Sequence, residues 1–320
     1  MSFSPFQLNN RTFSRLLDLD SEFNFEANKN YLFDLSYLST LKVVGEKARD
    51  FLQGQLSCDV RRVNSDTIQQ AALCNLQGRV LALMDVLEWH SFQLVLPKDL
   101  IEATQKSLSK TADLCRVKLQ PTNIQIFGFY LANENDLIPE SISLPDRDFG
   151  LNSNPEVCAY RLSKQFYLIL TTLDFRSIFS SQNQIRGSLA WHYLQLKQKS
   201  LEIYPETRGL FLPHRLDLHL TGYLSFDKGC YKGQEVIARM HYRAKLKHSL
   251  QLFTVETEER LNPGAKLFTA NGKTEVGELI DTCPITTNRY LIAASILHDA
   301  ELEVLIEGQS NLVVLSAVDF

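Results

Sequence analysis

The sequence is sparing with cysteine: six are spread over 320 residues, with no C-x-x-C pair and no Cys/His cluster at metal-ligand spacing. No resident metal site is therefore expected. It also lacks any run of about 18 apolar residues, the length a membrane-crossing helix needs. Its first twenty residues show no basic segment leading into an apolar one. These absences point to a cytoplasmic protein with reduced thiols and no membrane contact. Nor is there a chain-wide excess of positive charge, since 33 Lys and Arg face 37 Asp and Glu for a net charge of -4. Any affinity for nucleic acid must come from a local patch. Internal repeats and low-complexity tracts are absent as well.

What is present is ordinary globular material, 44% hydrophobic and 22% charged, long enough for two or three small cores. Ser39 to Val44 reads as a strand, and GEKARDFLQGQL after it places Ala48, Phe51, Leu52 and Gln55 at helical spacing. Strands are expected at IQQAALCNL, RVLALMDVLEW and FQLVLP, then a helix at KDLIEATQKSLSK. A second round follows, with strands at CRVKLQ, IQIFGFYLA, VCAYRL and FYLILT, a loop from Asn133 to Pro155, and short helical DFRSIF. Ser188 to Lys199 reads as a helix. From about Leu246, short β runs separated by Asn262-Pro263-Gly264 and Asn271-Gly272 turns predict a small antiparallel barrel. Together these elements give an α+β protein divided at 1–245 and 246–320.

One stretch stands apart, SFDKGCYKGQEVIARMHYRAKLK from Ser225 to Lys247. Between Lys228 and His248 lie six cations, Lys228, Lys232, Arg239, Arg243, Lys245 and Lys247, against the single acid Glu235. Gly229 and Gly233 allow a tight turn and a close backbone approach. Cys230, flanked by Lys228 and Lys232, could have its thiolate stabilised by those charges; the other reading of such a thiol is a buried packing cysteine. Arg239 and Arg243 share a face if the segment is helical, and could present two planar forks to carboxylates or phosphates, or simply form a solvated face. Tyr231 and Tyr242 could stack on a flat heterocycle or pack at a core edge.

The order Lys228, Gly229, Cys230, Tyr231, Gly233, Gln234, Glu235, followed by Arg239, Tyr242 and Arg243, resembles the signature of YgfZ-type proteins. Phe51 to Val60, Cys74 to Ala82 and Phe211 to Pro213 also fit that pattern, so the likeness runs through most of the chain. It implies a three-domain ring like that of the glycine-cleavage T-protein and other aminomethyltransferases, with a small C-terminal β-barrel and a central cavity for tetrahydrofolate or another reduced folate. It further implies an accessory role in assembly or repair of iron-sulfur proteins, including enzymes that methylthiolate tRNA. Those enzymes or cluster-assembly proteins would be its partners, with weak tRNA contact through the basic patch. Cys230 and Lys228 become the candidate catalytic pair. Trp191, Tyr231, Gln234, Glu235, Arg239, Tyr242 and Arg243 become candidate folate-binding residues; for Trp191 the alternative is a core aromatic on an amphipathic helix.

The chain also departs from that pattern. Where the T-protein carries a pair of aspartates after its N-x-x-G turn, Ala82 and Leu83 stand here. Leu196-Lys197-Gln198-Lys199 occupies an I-E-A-G-like stretch whose acid can hydrogen-bond a pterin. Ala244 and His248 replace a usual glycine and arginine. A second function stays open, a folate-dependent one-carbon transferase or demethylating enzyme, which would need a general base. Asp85 or Asp217 could serve, although the plainer reading of each is a surface or turn residue.

Overall fold

The computed structural model describes residues 2–243 and 245–318, so the Ala244 position lies outside the described residues. The chain opens with a hairpin of β1 (Ser4–Leu8) and β2 (Arg11–Arg15), a single-turn helix α1 (Leu19–Glu22) and β3 (Tyr31–Asp34). The expected strand, turn and helix follow as β4 (Leu38–Val44) and α2 (Ala48–Gln55), the latter burying Ala48, Phe51 and Leu52. Then come β5 (Gln69–Cys74), β6 (Val80–Trp89), β7 (Ser91–Pro97) and α3 (Lys98–Cys115). This last helix runs further than its sequence signals indicated, ending at Arg116 in the left-handed region. The strand expected from Cys115 accordingly begins only at β8 (Lys118–Thr122).

The second round comprises β9 (Gln125–Tyr130), β10 (Leu151–Ser153), β11 (Val157–Ser163), β12 (Phe166–Thr171), α4 (Arg176–Ser180), β13 (Ile185–Arg186) and α5 (Ser188–Lys197). The short β10 falls within the stretch read as loop. Three residues carry too little periodicity to be seen alone, and β10 exists through its pairing with β11, Leu151 opposite Tyr160. After a long irregular stretch the chain forms α6 (Gln234–Arg243), then β14 (His248–Glu256), β15 (Lys266–Thr269), β16 (Glu275–Pro284), β17 (Arg289–Leu297), β18 (Glu303–Ile306), β19 (Leu312–Val314) and β20 (Ser316–Ala317).

Three large sheets result. One has the order β5-β6-β7-β4-β8, the second β10-β11-β12-β9-β3-β13, and the third β19-β18-β15-β16-β17-β14-β20. The third is nearly closed and barrel-like, its two edges being consecutive strands, and it encloses a core that includes Phe253, Leu267, Leu279, Ile292 and Val304. No helix among the described residues is long and apolar enough to cross a membrane.

A buried polar junction joins these layers. Arg11 of β2, 2% exposed, donates twice to Asp99 of α3 at 2.7 and 2.8 Å, to Glu202 at 2.7 Å and to the Ile203 carbonyl at 2.7 Å. Burial alone would weaken the guanidinium's hold on its proton, but Glu202 and Asp99 outweigh it and raise the pKa. Glu202 also accepts from the Tyr37 hydroxyl at 2.7 Å, while its own amide donates at 2.8 Å to Asp281 of β16. Asp281 receives the Tyr204 hydroxyl at 2.7 Å and lies 3.3 Å from His192 of α5. Arg11→Ala leaves two carboxylates without their cation, and such removals cost about 3–5 kcal/mol. A urea denaturation curve should show a fall of that size, and Arg11→Lys should recover only part of it, because an ammonium lacks the planar fork.

Candidate functional site

Between the first two sheets lies a small cleft with a volume of about 80 Å³. Its apolar walls come from Leu83 and Met84 of β6, Val95 and Leu96 of β7, and Leu162 and Leu168 of β11 and β12 with its preceding turn. Trp191 and Gln195 of α5 close one side, and Tyr37, Glu202 and Tyr223 supply polar edges. Trp191 is buried against Phe33 and Phe166, at ring-centroid distances of 5.3 and 5.8 Å, while also lining the cleft. Trp191 is thus a core aromatic, as its alternative reading has it, with part of its surface on the cleft.

Asp85 departs from its plainer reading. The plainer reading made it a surface or turn residue; it lies instead in the middle of β6, 8% exposed, lining the cleft. It shares a strand face with Leu83, two residues earlier. One carboxylate oxygen accepts from the Tyr160 hydroxyl at 2.9 Å and the other from Gln70 Nε2 at 3.2 Å; Gln70 also donates to the Tyr223 hydroxyl at 3.2 Å. Burial pushes the acid up to about 6, against the opposing hydrogen bonds from Tyr160 and Gln70 and with a smaller push from Glu202. Asp217, the other candidate base, is a turn residue as expected: it is left-handed, and its carboxylate accepts from the Leu250 amide at 2.9 Å. Gln195 Nε2 is buried without a hydrogen-bond partner.

The cleft thus pairs apolar walls and an indole face with a carboxylate, an unsatisfied amide donor and two tyrosines. A flat heterocycle carrying both donors and acceptors fits that chemistry. Lys197, by contrast, is not among the cleft-lining residues; its ammonium sits 5.6 Å from the Tyr193 ring centre. Lys199 takes a left-handed backbone at the place of the I-E-A-G glycine, and its ammonium donates to the Leu250 carbonyl at 3.1 Å.

The segment 228–243 divides into an inward and an outward half. Lys228 is 7% exposed, and its ammonium donates to the carbonyls of Gln53, Leu56 and Cys58 at 2.7, 2.6 and 2.7 Å, capping the C-terminal end of α2. Burial lowers its pKa to about 8. The thiol coupled to this ammonium is the buried Cys58, which burial pushes up to about 12 even with Lys228 beside it. Tyr231 is buried beneath the Lys228 ammonium, 4.9 Å from its ring centre, and its amide donates to Gln234 at 3.1 Å. Cys230 is the one exposed residue among the six cysteines.

Glu235, Arg239, Tyr242 and Arg243 lie on the solvent side of α6, and the basic cluster is exposed there together with Lys245 and Lys247. Of the predicted folate-binding residues, Trp191 lines the cleft; Tyr231, Gln234, Glu235, Arg239, Tyr242 and Arg243 are outside its lining. Tyr37, Gln70, Gln195, Ser200, Glu202 and Tyr223 are polar cleft residues that sequence reasoning passes over, and Asp85 is one that it misplaces. The available signal was an acid embedded in the apolar run Val80 to Leu87.

Gly233 locks the loop onto the core. It has φ 85°, and a Cβ there would lie 2.4 Å from the Asn75 carbonyl; Gly78, at φ 73°, in turn faces Val236 of α6. The N-x-x-G turn and the cysteine loop are therefore packed together through two glycines.

The fold as a whole is that of the aminomethyltransferases. It matches the crystal structure of the glycine cleavage system aminomethyltransferase T from Bartonella henselae with a TM-score of 0.67 at 14% identity, covering 99% of this chain and 93% of that one. In sequence, the chain is similar to the tRNA-modifying protein YgfZ of Buchnera aphidicola (subsp. Schizaphis graminum), 27% identical with 79% of this chain and 82% of the relative covered. It is likewise 25% identical to the tRNA-modifying protein YgfZ of Colwellia psychrerythraea, covering 89% and 91% of the two chains. The resemblance to YgfZ-type proteins thus holds over most of the chain. No protein-family model matches it.

Two outcomes follow for stability. Gly233→Ala combines a left-handed alanine with a carbonyl clash and should lower unfolding free energy by about 2–3 kcal/mol in chemical denaturation. Asp85 behaves in the opposite sense. Its folded pKa is raised from 3.8 to about 6, so its protonated form contributes stability fully below pH 3.8 and loses it as pH rises through about 6. At pH 7 the ionised group costs on the order of 3 kcal/mol, and Asp85→Asn should be more stable than wild type by about 1–3 kcal/mol. That advantage should shrink in unfolding curves measured from pH 7 down to pH 5.

Proposed function

We propose that this protein is a folate-binding accessory factor for tRNA modification, holding a reduced folate in the cleft and serving the assembly or repair of iron-sulfur enzymes that act on tRNA. The observation that carries this reading is the cleft itself. An indole face, apolar walls, a buried carboxylate and the unsatisfied Gln195 amide meet in one cavity of a chain with the aminomethyltransferase fold. The similarity to tRNA-modifying proteins of the YgfZ type supports the tRNA connection. When bound, the folate would supply one-carbon or redox-active pterin chemistry; Trp191, Asp85, Gln70, Gln195 and Tyr223 would hold it.

Cys230 would act at the surface, where an exposed thiol can meet a partner protein or a cluster in transit. Lys228 would serve it through position rather than charge, since its ammonium is already shared among three carbonyls. The exposed cations of α6 would contact the partner or its tRNA. Asp85 favours a second reading, a one-carbon transferase in which an acid tuned to about 6 works as the general base.

Calorimetric titration with tetrahydrofolate should give saturable binding, and Cys230→Ala should fail to restore tRNA methylthiolation in a strain lacking its own relative of this protein. Absence of binding together with full rescue by the mutant would remove both supports. Formation of methylenetetrahydrofolate from glycine-type amines would instead establish the transferase.

A further inference from the structure

We propose that Asp85 reads the bound pterin, its carboxylate accepting from the adjacent N–H and NH2 donors on the pyrimidine edge of the reduced folate. The inference rests on the folate reading and names a residue for it. The neighbouring candidates are already occupied or face elsewhere. Glu202 holds Tyr37 and Arg11, one on each oxygen, at 2.7 Å. Lys197, at the position where the resembled pattern carries its acid, does not line the cleft and could not accept from donors in any case. Asp85 remains, with one hydrogen bond to each oxygen and acceptor capacity left on both.

Its surroundings fix the carboxylate while leaving it a net acceptor. Tyr160 of β11 donates from one sheet and Gln70 of β5 from the other, so the group is oriented by both walls. Gln70 is itself braced by Tyr223. Gln195, with its unpartnered amide on the α5 side, offers a donor to an acceptor atom of the same ring. A planar ligand with donors on one edge and an acceptor on another matches this set, whereas a ligand with only acceptors leaves Asp85 facing like polarity.

The titratable groups around Asp85 are Tyr160 on β11, Tyr223 on the segment before α6, and Glu202. Both tyrosines are held well above their usual range by burial. Burial also raises Glu202, opposed by Arg11, so Asp85 and Glu202 are the two groups able to titrate below pH 7. Binding that needs the Asp85 carboxylate must weaken as that group takes up a proton. Because Asp85→Asn keeps Glu202, the pH dependence that disappears in the variant belongs to Asp85.

The test is a fluorescence titration with 5-formyltetrahydrofolate, following Trp191 and Trp89, from pH 5 to pH 8 on wild type and Asp85→Asn, alongside an analogue in which a methyl group replaces the 2-amino group. Wild-type affinity should be level above pH 7 and fall several-fold by pH 5. Asp85→Asn should bind at least tenfold more weakly at pH 7.5, lose most of that pH dependence, and discriminate less between the two ligands. A variant that binds within twofold of wild type, or a wild-type affinity level across the whole range, overturns the role of Asp85 while leaving folate binding intact. Failure of the wild type to bind at any pH overturns the folate reading and this inference with it.

Discussion

A single buried cation holds the cleft's rim in register. Arg11 arrives on the second strand of the N-terminal hairpin, yet its partners lie 88 and 191 residues away in sequence. Through Glu202 it is coupled to Tyr37 at the cleft wall, and through the Glu202 and Tyr204 segment to Asp281 of the C-terminal sheet. Burying this many charges is expensive unless every lone pair is met, and here the network meets them almost completely. His192 closes the far end: burial would lower its pKa, but Asp281 outweighs that and holds it raised. The seven-stranded sheet contributes nothing to the cleft lining directly. It acts on the cleft by fixing Glu202.

The cysteine loop depends on a similar economy of contact. Lys228 is spent on the end of α2, Tyr231 on the core beneath it, and Gly233 on the Asn75 turn. Those three anchors leave Cys230 as the residue that cannot turn inward. An exposed thiol at a rigid turn is a consequence of its neighbours' burial, and the positive charge expected to flank it divides accordingly: Lys228 goes inside, while the cations of α6 face solvent. The basic patch is thus real as a surface, but it is not a ring of charges around the sulfur.

Much of this was legible from local pattern. β4, α2, β6, β7, α5 and the C-terminal strands follow from periodicity and turn residues, because each buries one face against a neighbour. What escaped detection was decided at long range. The hairpin β1–β2 and the short β10 exist through their partners, and α3 continues past its sequence signals until Arg116 ends it in a left-handed cap. At the site, the motif from Lys228 to Arg243 was conspicuous in sequence because its glycines and charges are unusual. The cleft residues were not, since Gln70, Gln195 and Tyr223 acquire meaning only when separate elements converge. Lys228 shows the limit of reading charge in sequence, where a lysine beside a cysteine looks like its activator until three carbonyls claim it.

Asp85 was misjudged for a related reason. A lone acid in a strand is ordinarily explained by solvent, yet the alternation of β6 puts it on the face shared by Leu83, toward the other sheet. There the ionised group lowers stability at neutral pH, and its two hydrogen bonds do not restore the usual carboxylate range. An asparagine would accept from Tyr160 and remove the desolvation penalty, at the cost of turning its NH2 toward the Gln70 amide donor. Groups that reduce stability in a cleft are characteristic of sites where function sets the residue. The same strand carries Ala82 and Leu83 where the T-protein pattern has aspartates, which makes the cleft apolar near the turn and acidic two residues deeper. The acid of this wall therefore stands two residues further along the strand than the aspartates of that pattern, and it is there that the wall offers an acceptor.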